Sequence, residues 1–74
     1  MNAEQMFEKL GYTKETTDDY IVYFQKGNPW NYIKFIRQKV EFPTENGLGY
    51  KFINSKLMKA IYVQMEELGW IENA

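Results

Sequence analysis

Seventy-four residues, 45% hydrophobic and 18% aromatic, with a net charge of −1, describe one small domain over 1–74, close to the lower size at which a chain folds unaided. There is no cysteine to staple it, and no histidine and only one serine, Ser55, to supply acid–base or nucleophilic chemistry. The longest apolar run is five residues, against the roughly 20 needed to span a bilayer.

In chain order, Asn2 and Gln5 have the spacing of a capping box and open a short helix through Leu10. Met6, Phe7 and Leu10 share one side of it, while Glu4, Glu8 and Lys9 face water. Gly11 supplies the left-handed stop, and Tyr12 folds back on the last turn. Residues 13–19 are polar and without periodicity, which predicts a loop. Its acids Glu15, Asp18 and Asp19 lack the ligand number and Gly turn of a calcium site.

Residues 20–43 predict a three-stranded antiparallel meander. The first strand, Tyr20 to Phe24, is apolar at every position, so its two faces are not distinguished. Gly27-Asn28-Pro29-Trp30 predicts the turn to the second strand, in which Ile33 and Phe35 alternate with Tyr32, Lys34 and Ile36. A turn at Gln38-Lys39 would set Phe35 opposite Phe42 and gather Ile33, Phe35, Val40 and Phe42 on the core face. Pro43 ends the third strand.

Residues 44–53 form a connection with its turn at Asn46-Gly47, and Tyr50 to Ile53 have the makings of a brief fourth strand. The Gly47-Leu48-Gly49 stretch lacks the third glycine and following helix of a phosphate loop. Asn54 caps a second helix through Leu68, with Leu57, Met58, Ile61, Met65 and Leu68 as its apolar stripe and Lys56, Lys59, Glu66 and Glu67 outside it. Its ending, Met65-Glu-Glu-Leu-Gly-Trp70, repeats the stop signal of Phe7-Glu-Lys-Leu-Gly-Tyr12. The expected architecture is α+β, ordered α-β-β-β-α, with both helices packed on one face of the sheet and Trp70 as a lid.

Charge is unevenly spread. Seven bases (Lys26, Lys34, Arg37, Lys39, Lys51, Lys56, Lys59) stand against Glu41 and Glu45 over residues 26–59, a balance of +5, with −3 on each side. Such a patch either binds a polyanion or is the solvated side of a sheet.

The N-terminal MNAEQMFEKLGY, the DDYIVY run and the closing KAI…QMEELGW resemble small uncharacterised proteins of phages, prophages and other mobile elements of low-GC Gram-positive bacteria. The likeness covers both ends and the first strand, and rests on capping and core residues. It implies a bacterial cytoplasm and an accessory role, and carries no functional residue across. The Met-Asn-Ala-Glu-Gln start, which lacks the basic and apolar regions of a signal peptide, and the missing cysteines agree with a cytoplasmic expectation.

The residues point away from an enzyme, from cofactors and from metals: there are no catalytic residues to name, and the adjacent acids Asp18-Asp19 and Glu66-Glu67 are expected in a loop and on a helix exterior. They favour a non-catalytic protein–protein interaction module. It would use the strand-one edge or the uncovered sheet face, with Tyr20, Val22, Phe24, Tyr32 and Ile36 as the contact residues and a homodimer as its simplest form. The alternative is weak nucleic-acid binding through Lys26, Trp30, Lys34, Arg37 and Lys39, bases interleaved with aromatics on a sheet face.

Overall fold

The structure is a computed structural model and describes residues 1–43 and 53–71. In chain order it has α1 (Ala3–Lys9), β1 (Tyr12–Thr16), β2 (Ile21–Gln25), β3 (Asn28–Ile36), β4 (Lys39–Glu41) and α2 (Ser55–Glu67). The strands form one antiparallel sheet in the order β1-β2-β3-β4. The class is α+β with helices at both ends, as expected, but the sheet has four strands where the sequence predicts three. The added strand is β1, in the stretch read as a loop. Glu15, expected there as a solvated loop acid, is in β1, paired with Val22 of β2. The expected turn at Asn46-Gly47, the glycine pair there and, but for Ile53, the brief strand expected over Tyr50 to Ile53 lie outside the described residues; Ile53 itself is not in a strand.

Both helix starts are built as their sequences demand. Asn2 accepts from the Gln5 N–H at 2.8 Å and donates its own N–H to the Gln5 side chain at 3.0 Å, closing the capping box. Asn54 accepts from the Leu57 N–H at 2.9 Å. The ends match too. Gly69, at φ +75°, donates to Glu66 and Trp70 to Met65, the two bonds of a Schellman stop. Gly11 takes φ +89° and donates to Glu8, and Tyr12 sets its ring edge-on to Phe7 at 5.7 Å. That is the apolar contact which accompanies such a stop.

The hairpins differ in detail from expectation. The turn between β2 and β3 is Lys26-Gly27, not Gly27 to Trp30, and Asn28 already pairs with Gln25. The register then jumps, from Gln25↔Asn28 to Phe24↔Tyr32, so residues 29–31 bulge from β3. A bulge is where a strand tolerates the missing N–H of Pro29. Between β3 and β4 the turn is Arg37-Gln38, pairing Phe35 with Val40 in place of Phe42. Because that slip is two residues, it leaves Ile33, Phe35, Val40 and Phe42 on the core side as predicted.

The register also settles which way β2 faces. Tyr23 lies between Lys14 and Ile33, and Ile21 beside Phe35. Those positions turn toward the helices: Tyr23, Ile33, Phe35 and Tyr12 are buried with Phe7, Leu57, Ala60 and Ile61 in one cluster. Phe7 stacks on Tyr23 at 3.8 Å, and Phe35 stands edge-on to both rings. Trp70 leans on Phe35 at 6.3 Å, closing one side of the core as a lid should. In α2 the buried positions are Leu57, Ala60, Ile61 and Gln64, a strict i, i+3, i+4, i+7 stripe. Met58, assigned to that stripe from sequence, is 59% exposed. Gln64 takes its share of the core and accepts a hydrogen bond from the Tyr23 hydroxyl.

Glu67 is not merely a surface acid. Its carboxylate accepts the Ala3 N–H at 2.8 Å, so the last turn of α2 caps the first turn of α1. Lys14 and Glu4, 3.6 Å apart, tie β1 to α1 more loosely.

Candidate protein-interaction face

With both helices on one side, the other side of the sheet carries the residues of opposite alternation. Val22 and Phe24 come from β2, Tyr32, Lys34 and Ile36 from β3, Thr13 and Glu15 from β1, and Lys39 and Glu41 from β4. Tyr20, two residues before Val22, extends the β2 column. All five predicted contact residues, Tyr20, Val22, Phe24, Tyr32 and Ile36, therefore share this side, and each is half-buried.

The cross-strand pairs lay these side chains out in rows. One row runs Glu15, Val22, Lys34, Glu41; the next runs Thr13, Phe24, Tyr32; and Ile36 neighbours Lys39 on the far side. The two middle columns are apolar except for Lys34, and the charges otherwise stand at the margins. Glu15, Tyr20, Val22, Phe24, Tyr32 and Lys34 line a shallow depression of about 330 Å³. Ile36 lies outside it. The Lys34 ammonium sits 4.2 Å from the centre of the Tyr20 ring, a cation–π contact. The face holds Lys34 and Lys39 against Glu15 and Glu41, so its charges balance.

The predicted strand-one edge does not exist as an edge. β2, the Tyr20–Phe24 strand, is paired on one flank by β1 and on the other by β3. The outer strands are β1 and β4, and both carry charges, Lys14 and Glu15 on one and Lys39 and Glu41 on the other, of the kind that discourages strand addition. Only the face remains as the apolar contact surface the sequence suggested.

The residues of the nucleic-acid alternative are scattered. Lys26 is in the β2–β3 turn and Trp30, 76% exposed, in the adjoining bulge, whereas Arg37 is in the β3–β4 turn at the other end of the sheet. Lys34 and Lys39 each have a cross-strand neighbour on the face, and Lys34 is set against Glu41. Lys56 and Lys59 lie on α2, in the helical layer. The described bases of residues 26–59 are thus divided over two layers and two ends, and Lys51 lies outside the described residues.

The acids are placed as follows. Asp18 and Asp19 are exposed in the β1–β2 loop, which is held by the Thr17 hydroxyl accepting from Asp19 and Tyr20 at 3.2 Å. Among the described residues no group of three or more acids gathers as a metal site. Ser55 is exposed at the start of α2. No helix among the described residues is long and apolar enough to cross a membrane. Burial raises the titration of the Tyr12 and Tyr23 phenols, and for Tyr23 the nearby Glu4, Glu67 and Glu8 raise it further. These two are core groups on the helix side and serve no surface site.

In comparisons with protein families, with curated proteins and with solved structures, nothing matches this chain.

Proposed function

We propose that the chain is a non-catalytic protein–protein interaction module that engages its partner through the outer sheet face. The supporting observation is the composition of that face: Tyr20, Val22, Phe24, Tyr32 and Ile36 stand together, with the helices on the opposite side of the sheet. Side chains of this type, ringed by charges, match an interface core with its polar rim. The resemblance to small phage and mobile-element proteins adds an accessory role in a bacterial cytoplasm to this reading.

The nucleic-acid alternative has less support. Binding of a polyanion calls for bases gathered on one side, and here Lys34 and Lys39 share the face with Glu15 and Glu41.

The test is selection of binders from a displayed peptide and protein library, repeated with Val22→Lys and Phe24→Lys. Each substitution points into solvent from a half-buried site and should leave the circular dichroism spectrum intact. Binders lost with both variants and kept with Met58→Lys, on the helical layer, are the expected result. The proposal fails if every binder of the native chain survives both face substitutions.

A further inference from the structure

The outer face balances two acids against two bases, and it carries both signs side by side on β4, where Lys39 and Glu41 are exposed and point the same way. A strongly acidic or strongly basic partner gains nothing from such a face, whereas a second copy of it can. Two-fold pairing makes residue i of one copy meet residue j of the other, and j meet i. The rows restrict how this can happen.

A two-fold axis along the strands lays β1 over β4 of the second copy and sets Glu15 against Glu41, a like-charge contact made twice. An axis across the strands through the middle row sets Lys34 against Lys34 and Glu41 against Glu41. An axis across the strands between the Lys39 and Glu41 levels does the opposite: Lys39 meets Glu41 of the second copy, and Glu41 meets its Lys39. It also stacks Tyr20 over Val22 and Ile36 over Lys34. The Lys34 stem then covers apolar surface while its ammonium keeps the Tyr20 ring. Lys39 is long enough to follow the rotation of about 30° between aligned sheets.

Building on the reading of this face as an interaction surface, we infer that its partner is a second copy of the chain, packed face to face about a two-fold axis across the strands, with Lys39 and Glu41 paired reciprocally between copies. The sheets stack with Tyr20, Val22, Lys34 and Ile36 of each copy inside and two ion pairs at one margin, while Phe24 and Tyr32, one level further along, reach past this overlap toward the β1–β2 loop and the Arg37-Gln38 turn of the second copy.

Sedimentation equilibrium over a wide concentration range tests this. The native chain should show a monomer–dimer equilibrium, and Val22→Lys should be monomeric. Lys39→Glu and Glu41→Lys should each weaken the dimer roughly tenfold, because two exposed pairs are lost and two like-charge contacts made. An equimolar mixture of the two single variants should recover native affinity as a heterodimer, in which both pairs are restored, and so should the double swap Lys39→Glu/Glu41→Lys. All three residues substituted are exposed or half-buried, so thermal melts of the variants should match the native chain. A native chain that stays monomeric to millimolar concentration overturns the inference. So does a mixture no tighter than its separate components. In either case the library selection above still decides independently whether the face binds another protein.

Discussion

Tyr23 and Gln64 offer the sharpest test of how the core is held. The Tyr23 side chain is fully buried under Phe7, and its hydroxyl donates to the side-chain oxygen of Gln64, itself 2% exposed. Tyr23→Phe removes only that hydroxyl, leaving the Gln64 oxygen buried without its donor; Gln64→Leu strands the hydroxyl instead. Each should cost about 1–3 kcal/mol, the penalty for an unsatisfied buried polar group. The whole domain has a stability of about 4–11 kcal/mol at the usual value per residue, so either loss is a large fraction of it. Each kcal/mol also lowers the melting temperature by about 4–8 °C in a domain of this size. The double variant Tyr23→Phe/Gln64→Leu removes both partners and replaces them with apolar groups of similar shape, so it should lie within about 1 kcal/mol of the native chain. Urea unfolding with a constant slope measures all four proteins. If the double variant loses the sum of the two single losses, the pair is not coupled and the account of the core is wrong.

Three further outcomes follow from the same structure. Arg37 and Gln38 hold φ of 51° and 63°, the left-handed geometry that two-residue hairpins fill with Asn-Gly, so Arg37→Asn/Gln38→Gly should stabilise the domain by about 1 kcal/mol in a thermal melt; an unchanged or lower melting temperature refutes it. Replacing Glu67 with Ala removes the acceptor of the Ala3 N–H and should cost about 1 kcal/mol, with faster amide exchange confined to the first turn of α1 if the capping role is right. The alkaline side of the pH profile comes chiefly from Tyr23, with Tyr12 adding to it. The folded-state titration of Tyr23 is raised, so the unfolded phenol loses its proton first, near pH 10. Stability is therefore complete below that value and falls as pH rises beyond it, by about 1.4 kcal/mol per unit for this group. Tyr23→Phe should flatten that fall in urea titrations between pH 9 and 11, and an equally steep profile in the variant counts against the assignment.

What the sequence made legible follows from which signals are local. Helix caps are encoded within four residues, so Asn2 with Gln5, Asn54, Gly11 and Gly69 could be read directly. Inward alternation on β3 was equally plain, since Ile33 and Phe35 are separated by Lys34. β1 was not legible because its inward positions are Tyr12, Lys14 and Thr16. Lys14 packs toward the helices and reaches Glu4, which leaves an edge strand with no apolar period to detect. Thr13 and Thr16, β-branched and within the Tyr-Thr-Lys-Glu-Thr run, were the available hint. Gln64 was missed for a related reason. It occupies the i+7 position of a strict helical stripe, but a polar residue there reads as surface until its partner, the Tyr23 hydroxyl, is known. The ambivalence of Tyr20 to Phe24 was real, and only pairing with Lys14 and Ile33 could resolve it.

Finding β1 beside β2 changes what kind of partner the apolar strand can meet. An edge would accept an extended peptide by backbone pairing, and its sequence would matter little beyond alternate side chains. With β1 in place, the N–H and C=O groups of β2 are taken up on both flanks, and only side chains remain to make contact. A partner on this side must therefore present a layer, either another sheet or the apolar side of a helix, that covers the middle columns around Val22 and Ile36 and displaces the water over them. Binding by such a layer buries Lys34, the one charge inside the columns, and that charge sets a cost which any partner has to offset. Lys34→Met should therefore tighten a face-on complex. Against a strand added at β1 it should change nothing, since β2 and β1 stand between Lys34 and that edge. Comparing Lys34→Met with the native chain by sedimentation, or by titration with a selected binder, thus separates the two geometries. Affinity unaltered by the substitution would return the contact to an edge.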